Sequence, residues 1–388
     1  MEYNPHRRTW FLCHIQKRCD ARGKIRHTRR MQSASIRKWL LALTLLAVIL
    51  WTIVYFYDQS AQRAEKATRI ILEPQGYFSY HKPDISASKT NKQSVADAAA
   101  AQKYLRQKVE EWLALHRRSA DSLLAAFHVL DDTNYLKEAA TNFPSDPRVE
   151  LTVLTRNAFP EDRRKWLDLF KASSPSNSLA SYLSAQTYFQ NGQSEAAVKD
   201  LVAATGKPDF ENYLLESQLD TEELGLFCAE SPLKSVETAL AGSATDSALT
   251  TLKQLASQMT DLQKQELNVG DNNSAENLAQ MGMILGDQLN SGASGNYLIN
   301  QLAGLAVESM MLAPLDANTS YDFLDGETPA QRLQEIKQQE FKLNQLVKSF
   351  EAIKPALTDA EQVSFQERVK IYGEIAAVQW ALQQRGNP

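Results

Sequence analysis

Histidine runs out early in this chain. The six are His6, His14, His27, His81, His116 and His128, and none follows in the last 260 positions. That long stretch holds no Ser-His-Asp triad, no Cys-His nucleophile pair and no histidine-rich metal site. His116 and His128 lie on helical stretches and read as packing or surface residues. Cysteine is as scarce: Cys13, Cys19 and Cys228 are the whole set. A body beyond Asp58 therefore has one thiol and no internal disulfide. Cys228, in the apolar patch EELGLFCAES, reads as a small buried hydrophobe. Cys13, His14, Cys19 and His27 miss the spacing of zinc-ligand pairs, and the arginines around them oppose a cation. No P-loop is present, and no G-x-G-x-x-G opens a helix after a strand. No catalytic residue, cofactor or metal is expected. Carboxylates are abundant, as on any solvated helix surface, so an acid pair of the glycosidase kind stays open.

The formal net charge of -4 conceals an asymmetry. Residues 1–38 carry eleven Lys or Arg against Glu2 and Asp20, a local +9, which leaves -13 for the rest. An acidic body lacks the concentrated positive field that phosphate binding needs, so nucleic acid is not an expected partner. Between the two lies WLLALTLLAVILWTIVYFY, Trp39 to Tyr57, nineteen residues without a charge. As a helix at ~1.5 Å per residue it spans the ~30 Å hydrocarbon core. Trp39, Trp51, Tyr55 and Tyr57 sit towards its ends, as interfacial rings do. Arg37 and Lys38 on one flank predict a cytoplasmic N-terminus, with everything after Asp58 on the other side. The run is too long for a signal-peptide core, and DQSAQRA offers no clean A-x-A cut, so an uncleaved anchor in the bilayer is expected. Residues 1–30 are a basic cytoplasmic tail, or the true start is Met31.

Residues 58–94 read as a stalk and linker, with Pro74, Gly76, Pro83 and many Ser and Thr. Helix follows, and two-residue alternation of the strand type is almost missing. Leu105, Val109, Trp112 and Leu113 form one apolar face. Three later breaks look alike: FPSDPRVELTVL, SPSNSLASYLSA and KPDFENYLLESQ, with Pro144, Pro175 and Pro208 spaced 31 and 33 residues apart. In each, proline stops one helix, and the Asp, Asn or Ser after it is placed to cap the next. Such a period marks stacked helical hairpins.

Within SNSLASYLSAQTYFQNGQSEAAVKDLVAATGKPDF, Ala185, Tyr188, Gly192, Ala197, Leu201 and Ala204 fall at offsets 0, 3, 7, 12, 16 and 19. This spacing resembles the tetratricopeptide repeat family: a small residue, an aromatic, a turn glycine, a small residue, a large apolar residue and another small one. Ser184 stands where that family usually has Leu. The resemblance covers one good and two degenerate repeats, roughly residues 119–216, within a repeat region of 95–220. It implies an all-α fold of paired helices. It also implies a concave groove lined by first helices, with Ser181, Ser184 and Gln186 as surface candidates for holding a peptide.

Residues 221–388 continue as helix. Gly282, Gly286 and Gly304 sit inside helical patterns and predict close helix crossings; Asp287, Gln288 and Glu308 argue against a membrane dimer motif. Met281, Met283, Met310 and Met311 read as gap-filling core, with an adaptable groove as the other use. The end reads as a hairpin over 328–385: one arm from Thr328-Pro329 with a seam of Leu333, Ile336, Leu343, Val347 and Phe350, then a second arm opened by a Thr358–Glu361 capping box.

The expected protein is thus a single-pass membrane protein, all-α, with its body outside the cytoplasm of a bacterial-type inner membrane. Its expected role is a scaffold or adaptor for protein partners. An envelope enzyme working on glycans through paired carboxylates, and a self-associating structural subunit, are the alternatives.

Overall fold

The computed structural model describes residues 92–244, 248–292 and 294–386. The basic segment, the Trp39–Tyr57 run and the linker up to Asn91 lie outside the described residues. Every regular element described is helical, and the nearest thing to a strand is an isolated bridge between Asn177 and Asp209.

Helix α1 (Lys92–Leu115) buries Val109, Trp112 and Leu113 near its C-terminal end. The chain then turns through Arg117 and Arg118, both left-handed with φ of 56° and 51°. The Arg118 guanidinium holds this corner: it donates to both Glu138 oxygens at 2.6 and 2.7 Å and to Glu110 at 2.6 Å. Six helices follow in pairs: α2 (Ala120–Leu130) with α3 (Thr133–Asn142), α4 (Pro147–Thr155) with α5 (Arg163–Ser173), and α6 (Ser178–Gln190) with α7 (Ser194–Thr205).

The pairs make two layers. In α2, α4 and α6 most positions are buried, and of the rest only Gln190 is exposed. Their sequences are mostly apolar or small, which suits helices with little solvent face. The outer helices bury one stripe each: Tyr135, Leu136 and Ala139 on α3, Trp166, Leu167 and Phe170 on α5, Ala197, Leu201 and Ala204 on α7. Asp146 and Asn177 cap α4 and α6 through their side chains, accepting the N–H of Arg148 at 2.9 Å and of Leu179 at 3.0 Å. The third break differs. Asp209 caps nothing; its carbonyl accepts the N–H of Ser178 at 2.8 Å, and the next helix waits until Leu214.

That helix, α8 (Leu214–Phe227), and its partner α9 (Pro232–Ala244) fold back against α2 rather than stacking on α7, and α8 also touches α1. Then α10 (Leu249–Val269) lies along α6, and α11 (Asn272–Asn290) and α12 (Leu298–Leu312) pack on α10 and on each other. The α11–α12 crossing is close because glycines face each other. A Cβ on Gly286 would stand 3.0 Å from the Gly304 carbonyl, and one on Gly304 2.6 Å from the Gly286 carbonyl. Met311 fills the notch at Gly282, so it and the buried Met283 are core, while Met281 and Met310 are half-buried against the cluster that holds Met311.

The terminal region opens with α13 (Pro329–Ile353), whose Thr328–Gln331 capping box and N1 proline set its start. The second arm of the expected hairpin is two helices, α14 (Asp359–Tyr372) and α15 (Glu374–Gln384). Gly373, at φ +83°, breaks it. The three enclose their own core of Val347, Phe350, Phe365, Val369 and Val378, with the Phe350 and Phe365 rings stacked 4.5 Å apart.

Candidate functional site

The groove expected along the first helices is filled by the protein itself. Helix α6 lies between α5 and α7 on one side and α10 on the other. Ser181, Ser184 and Gln186 are therefore interior, with relative exposures of 1, 0 and 2%. Their expected place on an open surface is corrected: α8 and α9 pack on α2, α10 packs on α6, and these three side chains are left no open face for a peptide. Gln186 instead donates to Gln254 on α10 at 3.3 Å.

The six spacing residues are where packing puts them. Ala185, Ala197, Leu201 and Ala204 are fully buried. Tyr188 is half-buried beneath the Arg164 guanidinium, 4.9 Å from ring centre to Cζ. Gly192 turns the chain at φ +70°.

Ser184 is the centre of a polar cluster that the sequence flagged only as a departure from the repeat pattern. Its hydroxyl accepts from Arg164 at 2.8 Å and from Lys171 at 3.0 Å, and donates to Asp200. Lys171 also pairs with Asp200 at 2.7 Å. One hydroxyl thus joins α5, α6 and α7 with one donor and two acceptor positions in use. A buried serine so engaged is not placed to attack a substrate, and the cluster holds helices together.

Three further carboxyls lie inside. Glu150 on α4 is fully buried; Ser173 donates to its Oε2, while Oε1 has no hydrogen-bond partner. Burial pushes this carboxyl up to about 7, against the pull of Ser173. Glu308 on α12 pairs with Arg332 of α13 at 2.7 Å and accepts from Asn290 at 3.2 Å. Burial still raises it. Glu374 opens α15, and burial pushes it up to about 7 as well.

Acidic groups also gather at the seam of α2, α4 and α8. Arg148 pairs with Asp121 and, at 2.8 Å, with Asp146. Asp220 of α8 stands beside them, and burial with the Asp121 charge pushes its carboxyl up to about 6. Sequence spacing gave no sign of it, because the three helices meet only through the backward fold of α8. A carboxyl titrating there can hold or release a proton near neutrality. Cys228 is buried, and burial pushes its thiol up to about 11, away from thiolate chemistry. Among the described residues no group of three or more His, Cys, Asp or Glu stands together as a metal site, and no helix is long and apolar enough to cross a membrane.

No protein-family model, no curated protein and no solved structure matches this chain.

Proposed function

We propose that this is a scaffold, tethered by Trp39–Tyr57, that presents a rigid tetratricopeptide-like body to protein partners outside the cytoplasm. The uncharged run and its basic flank support the tether. The body supports the scaffold reading through one observation above the rest. Its inner helices are enclosed by α8 to α12, so partner contact falls to the outer helices, where Lys199 and Val202 of α7 are exposed.

The test is photo-crosslinking in native membranes, with a crosslinking residue at Lys199 or Val202 of the full chain and a control at Ser181. A defined protein captured at the outer positions, and lost when Tyr188→Ala and Ala197→Trp spoil the repeat, supports the reading. Equal capture at the Ser181 control, or no defined product from any outer position, overturns it.

A second reading has the Asp220 carboxyl as its support: an enzyme that uses Asp220 and Asp121 as acid and base. Glycan turnover by membranes carrying Asp220→Asn is its test, and unchanged turnover ends it.

A further inference from the structure

A depression of about 460 Å³ opens between α11 and the loop of residues 313–328. Its wall on the helix side is Glu276, Asn277 and Gln280, and on the loop side Tyr321, Asp322 and Phe323. The loop is fixed in place. Tyr321 N–H donates to the Glu327 carbonyl at 3.2 Å, Gly326 N–H to the Tyr321 carbonyl at 3.2 Å, and Ala330 N–H to the Ala317 carbonyl at 3.1 Å. Leu324 is buried as its anchor in the core shared with Ile336 and Leu305. The Tyr321 and Phe323 rings lie 5.5 Å apart, tilted at 45°, each packed on that core and each half open.

The depression is lined by two carboxylates and by no Lys, Arg or His. Elsewhere on this body carboxylates are commonly matched: Glu308 by Arg332, Asp200 by Lys171, Glu138 by Arg118. Glu276 and Asp322 have no such cation among the described residues. Two half-open aromatic rings, two carboxylates and two amides lining one depression form surroundings that attract a cation.

We infer that this depression binds an organic cation, an ammonium or guanidinium group, carried either by a Lys or Arg side chain of a partner or by a free amine. The rings take the cation over their faces. Glu276 and Asp322 supply the opposing charge, and Asn277 and Gln280 accept its remaining N–H groups. The inference stands on this geometry alone and does not need the tether or the scaffold role.

The test is ligand-observed NMR with the full chain in detergent. The probes are Nα-acetyl-arginine amide, its uncharged isostere Nα-acetyl-citrulline amide, and methylammonium. The arginine probe is expected to bind and to weaken with salt. Its affinity should fall about fivefold or more in Glu276→Gln/Asp322→Asn, and again in Tyr321→Ala. Binding of methylammonium as tight as the arginine probe assigns the site to free amines; a preference for arginine assigns it to a basic side chain. Citrulline binding as well as arginine, or undiminished arginine binding by the double variant, overturns the inference. The side chains of Glu276 and Asp322 make no hydrogen bond or ion pair among the described residues and lie outside the apolar core, so an unchanged melting temperature shows that the variant is folded.

Discussion

The carboxylate of Glu374 accepts the backbone N–H of Leu298 at 2.7 Å. The first turn of α15 thereby caps α12, whose own N-cap residue, Tyr297, supplies no side-chain cap. The join is continued by Gly373, where a Cβ would stand 3.2 Å from Asn296 Oδ1, and by Lys370, which pairs with Glu222 of α8. Helices α14 and α15 are thus fastened to the body through one buried acid and one ion pair, while α13 is held by Arg332–Glu308 and by Ile336 in the core beside Leu305.

That acid makes stability depend on pH. Burial raises the folded carboxyl to about 7, above its unfolded value. The stabilisation that goes with the neutral form is complete below about pH 4.5 and is lost as pH rises through about 7. Glu374→Gln keeps a carbonyl to accept from Leu298 and cannot ionise. The variant is expected to gain on the wild type by about 2–3 kcal/mol between pH 5 and 8. Thermal unfolding at stepped pH measures this, and parallel curves for the two proteins would refute it. Glu150 titrates in the same window, so the slope should fall further in Glu150→Gln/Glu374→Gln, leaving the part carried by other raised carboxyls such as Asp220.

Ser184 tests the polar cluster. Ser184→Ala leaves Arg164, Lys171 and Asp200 without their shared hydroxyl and is expected to cost about 1–3 kcal/mol in denaturant unfolding. Ser184→Leu places there the residue usual in the tetratricopeptide family that this spacing resembles, and should cost more, because the leucine must displace paired charges. A leucine variant as stable as the wild type would show that the cluster holds nothing.

The repeat residues were legible because their reasons are local. Ala185 and Ala197 are small where two adjacent helices touch, and Gly192 turns where φ is +70°. The Thr328-Pro329 start and the Thr358–Glu361 capping box were legible for the same reason, since each is written within four residues; the part Gln331 plays at Thr328 appeared only in the structure. The open groove was expected from repeats that continue to stack. Nothing near Ser181 says that Leu214–Phe227 turns back onto α2 or that Leu249–Val269 covers α6, because those contacts join residues far apart in the chain. Asp209 shows the same limit: its spacing is that of a cap, and its carbonyl is taken up by Ser178. The Gly286–Gly304 approach lies between. Glycine inside a helix predicts a close crossing, but not which glycine lies opposite.

That crossing gives a steric prediction. Gly304→Ala would drive its methyl into the Gly286 carbonyl and Asn290, two groups held by backbone and by Glu308. A loss of about 1–3 kcal/mol is expected, as for an overpacked core. Gly206→Ala, with open space around it and an ordinary backbone, should cost little and serves as the control. Equal unfolding midpoints for the two variants would count against the close approach.

Ala229 marks a place where the chain is less stable than it needs to be. Helix α8 ends in a Schellman motif: Glu230 N–H donates to the Gly225 carbonyl at 3.2 Å and Ala229 N–H to the Leu226 carbonyl at 3.0 Å. Ala229 holds the left-handed position at φ 62°, where its Cβ crowds the following carbonyl. Helix α10 ends in the same motif with Gly270 in that position, at φ +83°. Ala229→Gly removes the crowding and keeps both hydrogen bonds, although the freer unfolded chain offsets part of the gain. A net stabilisation of about 0.5–1 kcal/mol is expected, with no change in the denaturant slope. Gly270→Ala should move stability the other way by a similar amount. Loss of stability in Ala229→Gly would mean that the Ala229 methyl contributes packing that outweighs its strain.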